Sequence, residues 1–240
     1  MGHDTGTTIR QIVRNDHRAA AVFEKYAIDF CCGGDASLDA ACASKGIDPA
    51  PIQRELQGLN DSPADATFRP AEWDLDVLAD YIVNNHHRYV RRALPRLAAH
   101  LEKVVSAHGS RHPELVEIAR SFQSVEQELT NHMQKEELVL FPHIRNLARA
   151  QAGMEPARPP FGSVRNPIRM MEAEHQSAGI ALSLIRRLSG DLTPPPDACE
   201  TYRVAYKELG EFERDLHQHI HLENNVLFPK AIELEETLFA

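Results

Sequence analysis

Two stretches of this 240-residue chain share one pattern. His132-Met-Gln-Lys-Glu136 runs into Glu137-Leu-Val-Leu-Phe-Pro142, and His219-Ile-His-Leu-Glu223 runs into Asn224-Asn-Val-Leu-Phe-Pro229. Both read His-x-x-x-Glu-x-x-Val-Leu-Phe-Pro. Residues four apart on a helix lie one above the other on the same face. Each pair therefore aims an imidazole nitrogen and a carboxylate at one point, a donor mixture that suits a metal ion. One such pair arises easily by chance, because His and Glu are ordinary helix residues. Two copies with the same tail do not.

One further histidine completes each copy. His87 lies 45 residues before His132, and His175 lies 44 before His219. The halves are offset by 88 and 87 residues, which reads as a duplicated helical hairpin with one His on its first helix and His-x-x-x-Glu on its second. The first hairpin closes well. The turn-like run 107–112 is centred between its histidines, and about 20 residues up and 20 back at ~1.5 Å each return to the starting level. The second closes less well, since the break at 189–196 is centred short of the midpoint, a mismatch that its Pro-rich segment could absorb by climbing. Four histidines and two glutamates then meet at one level of a bundle. If the glutamates bridge two metals, each metal has two imidazole nitrogens, two carboxylate oxygens and a solvent-derived bridging oxygen, with a position left open. That set suits redox-active iron. Zinc prefers closed four-coordinate sites, or one open position on a single ion.

Some choices stay open on residue types alone. His86 shares a helix face with Leu78, Ile82, Tyr89 and Ala93, so periodicity favours it where the repeat offset favours His87. Glu172-Ala-Glu-His175 contains the Glu-x-x-His of ferritin-like di-iron sites, but those need two such motifs plus further glutamates. His217 and His221 lie about 160° around the helix from His219 and should face elsewhere.

The elements that must position these residues read as helices, and strand signals are weak throughout. Four long helical patterns run over about 75–105, 113–150, 166–188 and 197–234. Asn166-Pro167 opens the third as cap and first helical residue. This predicts an all-α fold with an up-down four-helix bundle over 73–240. Residues 1–59 form a smaller helical domain. Thr7 or Thr8 caps a helix through Ile9, Ile12, Val13, Ala20, Phe23 and Tyr26. Cys31-Cys32-Gly33-Gly34 stops that helix, and shorter ones follow from Ser37 to Gly46 and from Asp48 through Leu56. Residues 60–72, rich in Pro, Asp and Ser, read as a linker.

Composition narrows the function. With 42% apolar residues a proper core can form, and 6% aromatic suits helices of Leu, Ile, Val and Ala. A formal charge of −9 argues against nucleic acid as partner. No run approaches the ~20 apolar residues of a membrane span. The N-terminus lacks a signal peptide, and Gly6 breaks the myristoylation pattern opened by Gly2. A soluble, cytoplasmic protein is expected. The cysteines, Cys31, Cys32, Cys42 and Cys199, are too few and scattered for a disulfide scaffold. Adjacent cysteines seldom bond to each other, and a helix C-terminus does not stabilise a thiolate.

The run Phe23-Glu-Lys-Tyr-Ala-Ile-Asp-Phe-Cys31-Cys32-Gly-Gly34 resembles the N-terminal domain of the di-iron iron–sulfur-cluster repair proteins (the RIC family, YtfE/ScdA-like). His87-x-x-x-Arg91-x-x-Leu94-Pro95 is similar to that family's first hemerythrin-like helix, which selects His87 over His86. Then come His132-Met-x-Lys-Glu136-Glu137, Met171-Glu-x-Glu174-His175 and His219-x-x-Leu222-Glu223-Asn224-Asn225-Val-Leu-Phe-Pro229, in the family's order. The resemblance spans almost the whole chain. It implies a hemerythrin-like bundle with an oxo-bridged di-iron centre, two iron ions per chain. The ligands carry over onto His87, His132, His175 and His219, with Glu136 and Glu223 as bridges. It also implies repair of iron–sulfur clusters damaged by nitric oxide or peroxide, with damaged iron–sulfur proteins as partners. The family's vicinal cysteines fall on Cys31 and Cys32. His86 and Phe30 stand where the family pattern has Tyr. The hemerythrin oxygen carriers use five histidines and lack the Cys-Cys domain; His143 and His86, the candidates for a fifth, sit outside the repeated pattern.

Several modes of action fit these residues: iron donation or nitric oxide handling at a damaged cluster, a hemerythrin-like oxygen or nitric oxide carrier or sensor, and a nitric oxide reductase. Glu128 and Glu174 are candidate carboxylates behind the ligands or on an exit path. Cys31 and Cys32 could pass electrons, hold iron in transit, or serve a buried structural role. No catalytic side chain is assigned, and a homodimer is left open.

Overall fold

The computed structural model describes residues 7–60, 68–155 and 158–240. The N-terminal residues read for targeting signals and most of the expected linker lie outside these.

Thr8 caps α1, Ile9–Asn15, through a reciprocal pair. Its hydroxyl accepts from the Gln11 N–H at 3.2 Å, and the Gln11 side chain accepts from the Thr8 N–H at 3.0 Å. The single helix expected to run on through Tyr26 is two helices. Asp16 accepts from the Arg18 N–H at 3.0 Å, offering the backbone a turn in place of the next helical bond. α2, Ala19–Lys25, follows that turn. Nor do the glycines after the cysteines end it. Ala27 adopts φ 52, and the Ile28 N–H reaches back to the Phe23 carbonyl at 2.8 Å, closing the helix several residues earlier. Cys31–Gly34 is a loop gathered around Asp29, whose carboxylate accepts from the N–H groups of Cys31, Cys32 and Gly33 at 2.9, 2.9 and 3.0 Å. Gly34 is needed for close approach instead: a Cβ there would lie 2.9 Å from the Phe30 carbonyl oxygen and 3.0 Å from Arg10 Cβ. The loop's carbonyls at Gly34 and Ala36 take up the otherwise unpaired N–H groups of Arg10 and Ile9 at the start of α1. α3, Leu38–Lys45, has the expected Ser37 cap and left-handed Gly46, and α4, Pro49–Asn60, follows.

Four rods then run up and down. The first is α5, Leu75–Ile82, continuing into α6, Arg88–His108. The second is α7, Glu114–Lys135, with α8, Phe141–Gln151. The third is α9, Arg165–Leu188, and the fourth α10, Glu200–Leu222, with α11, Phe228–Phe239. α9 begins ahead of its expected cap. The Val164 N–H is taken by Glu235 on α11 at 2.9 Å and the Arg165 N–H by the Ser163 hydroxyl, while Asn166 donates to the Phe161 carbonyl. α6 packs on α7 and α10, and α7 on α9. No strand occurs among the described residues, whose β-type pairing is confined to one isolated bridge between Thr8 and Ser37.

The apolar interior falls into two clusters. One joins α1–α4 to the halves of the rods carrying Val90–Val104, Leu115–Met133, Ala178–Ile185 and Tyr202–Ile220. The other gathers α5, α8, α11 and the start of α9 around Ile82, Phe141, Met171 and Phe228. The residues singled out for metal chemistry lie in the seam between them.

Candidate metal centre

The first, second and fourth rods each break α-helical register at the seam with a π turn: Val83–His87, Glu136–Leu140 and Glu223–Leu227. The defining i→i+5 bonds run from the Phe141 N–H to the Glu136 carbonyl and from the Phe228 N–H to the Glu223 carbonyl. Pro142 and Pro229 come next and have no N–H with which to restore the usual register. A π turn adds a residue to one turn, widens the helix there, and is common at functional sites. It supplies a structural reason for the tail shared by both copies: proline follows the π bond, and the phenylalanine is a lid. The Phe141 ring stacks on His87 at 5.7 Å between centroids and the Phe228 ring on His175 at 6.2 Å.

All six expected residues come together. Two groups of four donors form, His87–Glu136–His219–Glu223 and His132–Glu136–His175–Glu223, each with ligand atoms within 4.8 Å of one another. Both carboxylates belong to both groups. Glu223 faces His219 Nε2 with Oε1 at 3.0 Å and His175 Nε2 with Oε2 at 3.1 Å. Glu136 Oε2 lies 3.3 Å from both His87 Nε2 and His132 Nε2. None of the six is more than 1% exposed.

The outer nitrogens fix how the rings are presented. His87 Nδ1 donates to Glu137 at 2.6 Å, His132 Nδ1 to Glu174 at 2.9 Å and His175 Nδ1 to Asn224 at 2.8 Å. Each bond commits the proton to Nδ1 and leaves Nε2 facing the centre. Arg91 and Lys135 in turn hold Glu137 and Glu174. Of the two candidate carboxylates, Glu174 lies directly behind His132. Glu128 does not; it takes hydrogen bonds from Ser124 and Ser177. Glu137 and Asn224 were not singled out from sequence, although both directly follow the repeated glutamate and so occupy one duplicated position. His221 turns away to Asn225, and His217 lies near Glu24.

The electrostatics call for a cation. Nε2 atoms approach in pairs, His87 to His219 at 3.2 Å and His132 to His175 at 3.0 Å. Such a pair repels unless a proton or metal ion sits between or beside it. Both oxygens of Glu136 and Oε2 of Glu223 are buried without a well-formed hydrogen bond, an arrangement that is costly for a charged group unless it is compensated. Burial and the neighbouring carboxylate oppose ionisation of Glu136, and burial opposes that of Glu223, yet the surrounding imidazoles hold both below the ordinary glutamate range. Burial likewise opposes charge on His87 and His132, but the carboxylates raise both to about 10. Burial pushes His219 down. Nitrogen and carboxylate donors that converge this closely, with paired Nε2 atoms facing one another, fit bound metal cations in place of the protons.

The cysteine loop reaches the same layer. Asn224 donates to the Cys31 carbonyl at 3.1 Å while accepting from His175, and Asn225 donates to the Phe30 carbonyl at 2.9 Å. Cys31 is buried and Cys32 half-buried, their sulfurs 3.8 Å apart. Contact with Cys32, burial and Asp29 push the Cys31 thiol well up.

An up-down helical bundle with a sealed His/Glu layer defines a hemerythrin-like, cation-binding protein. Residues 78–231 match the hemerythrin HHE cation binding domain, and residues 5–60 match ScdA_N, described as a domain of unknown function (DUF542). The chain is 38% identical over 215 residues to the iron-sulfur cluster repair protein YtfE of Citrobacter koseri, spanning 90% of this chain and 91% of that one. It is 37% identical, with the same coverage, to proteins of that name from Escherichia coli O8 and Escherichia fergusonii. The chain belongs to this family of hemerythrin-like iron–sulfur cluster repair proteins.

Proposed function

We propose that this protein repairs iron–sulfur clusters damaged by nitrosative or oxidative stress, using two iron ions per chain. The observation that carries the proposal is the pair of four-donor groups that share both carboxylates. His87 and His219 would hold one iron, His132 and His175 the other, with Glu136 and Glu223 reaching both. Bound there, the iron pair supplies one-electron redox chemistry, affinity for nitric oxide or oxygen, and iron for rebuilding a cluster.

The chain's own residues prepare that site. Glu137, Glu174 and Asn224 hold three imidazoles in the ligating tautomer. Phe141 and Phe228 cover His87 and His175 on the apolar side and exclude water. Oxygen and nitrogen donors without thiolates hold ferrous iron loosely enough for it to leave, which suits a donor better than a store. The partners are damaged iron–sulfur proteins. No helix of the described residues is long and apolar enough to cross a membrane, and the cytoplasm is the setting in which such clients would be met.

The test is reactivation of a [4Fe–4S] dehydratase inactivated by nitric oxide. The iron-loaded protein should restore activity in proportion to the iron it carries. Failure of both its oxidised and reduced forms, with a stable oxygen adduct in the absorption spectrum, would replace repair with an oxygen-carrier function.

A further inference from the structure

The duplication extends outward from the ligands and fails at one of four places. Glu137 and Asn224, each following a repeated glutamate, accept from His87 and His175. Glu174, the residue before His175, accepts from His132. Its duplicate is the residue before His87, which is His86, and the matching ligand is His219. No matching bond forms there. The His86 ring lies flat on that of His219, centroids 5.6 Å apart and planes inclined by 11°, and its Nδ1 is engaged with Asp215 at 3.1 Å. His219 Nδ1 is left buried without a partner, as are His86 Nε2 and Asp215 Oδ2. In the first copy the residue equivalent to Asp215 is Glu128, which is taken up by Ser124 and Ser177 and leaves Glu174 to hold His132.

We infer that the two metal positions are unequal and that the one held by His87 and His219 releases its ion first. An imidazole whose outer N–H is accepted by a carboxylate or amide is oriented, fixed in its tautomer and made more basic. Loss of such a partner costs about 10–100-fold in metal affinity. The His132/His175 position has both outer partners, and the His87/His219 position has one. The sequence asymmetry at residue 86 thereby divides a duplicated site into a retaining half and a releasing half. This rests on the two-iron proposal, and it assigns to one half the delivery step that iron donation requires.

The experiment loads the full chain anaerobically with Fe(II), measures iron per chain, then follows release to an excess of a ferrous chelator. Two phases of equal amplitude are expected, the faster by about 10–100-fold. His86→Gln places an amide acceptor beside His219 Nδ1, as Asn224 does for His175, and should slow the fast phase alone. Glu174→Ala removes the partner of His132 and should speed the slow phase until the two merge, whereas Glu174→Gln should stay close to wild type. A single release phase from wild type loaded with two ions overturns the inference while leaving the two-iron site standing. So does a slow phase unchanged in Glu174→Ala, a comparison that decides the matter even if His86→Gln does not fold. A chain that saturates at one ion overturns both.

Discussion

Cys31 shows how far a residue's neighbours can outweigh its type. Its sulfur touches Cys32 and Asp29, it is buried, and its thiol is held well above the usual range. The thiolate is the nucleophile, so Cys31 should react slowly at pH 8 and speed up only as pH rises further. Iodoacetamide labelling followed by peptide mass mapping should find exposed Cys199 modified first and Cys31 far behind; equal rates would contradict this environment. Cys-Cys-Gly-Gly left a buried structural role as one option and offered nothing to stabilise a thiolate, but the contact with Asp29 and the depth of burial come from the folded loop. The six centre residues were legible because the i, i+4 spacing picks out His132 with Glu136 and His219 with Glu223, the internal repeat adds His87 and His175, and the family resemblance settles His87 over His86. The partners behind the rings were half legible. Glu174 could be picked out beside His175, but Glu137 and Asn224 looked like ordinary polar positions until the rods were placed side by side.

At the scale of the element, the long helices could be read from apolar periodicity, but their π turns could not. An inserted residue shifts the pattern by one position, which the width of an apolar stripe conceals. The repeated Val-Leu-Phe-Pro was the visible trace of this device. If Pro142 and Pro229 hold the register open, Pro142→Ala/Pro229→Ala should restore two amide donors and let both rods relax toward regular α-helix. The metal-free protein should then melt no earlier than wild type, while its iron affinity falls. Lower thermal stability with unchanged iron affinity would show that the prolines serve packing alone. The other departures were local. Asp16 splits the first expected helix, and Ala27 rather than a glycine ends the second, both through backbone bonds that residue type only weakly signals.

The whole molecule is a polar seam between two apolar clusters, and its ends must be tied for that seam to stay in register. Glu235 of α11 makes one such tie. It accepts from the Val164 N–H and the Ser163 hydroxyl at the start of α9, and pairs with His143 of α8. Burial opposes its charge, but these bonds hold its carboxyl below the ordinary glutamate range. A carboxylate whose pKa falls on folding stabilises the fold above its unfolded pKa of about 4.3 and loses that contribution as pH drops through the lower folded value. Glu235→Ala should cost about 1–3 kcal/mol at pH 7 by leaving the Val164 N–H unpaired. For Glu235→Gln, the deficit in denaturant unfolding should shrink as pH falls below about 4.3; a deficit independent of pH would rule out the charged bond. The bundle itself was predictable from four long periodic stretches. Its union with the N-terminal helices was less so. Ile9, Phe23 and Phe30 join the same apolar cluster as Val90 and Ile220, a merger that no local pattern announces.

The central claim is that Glu136 and Glu223 each serve two metal positions, and iron stoichiometry tests it most directly. Protein reconstituted anaerobically and freed of loose metal should carry two irons per chain. Glu223→Ala, which removes a donor from both groups, should carry clearly fewer while its helical circular dichroism is retained. Two irons kept by a folded Glu223→Ala, or wild type that saturates at one, would contradict the account.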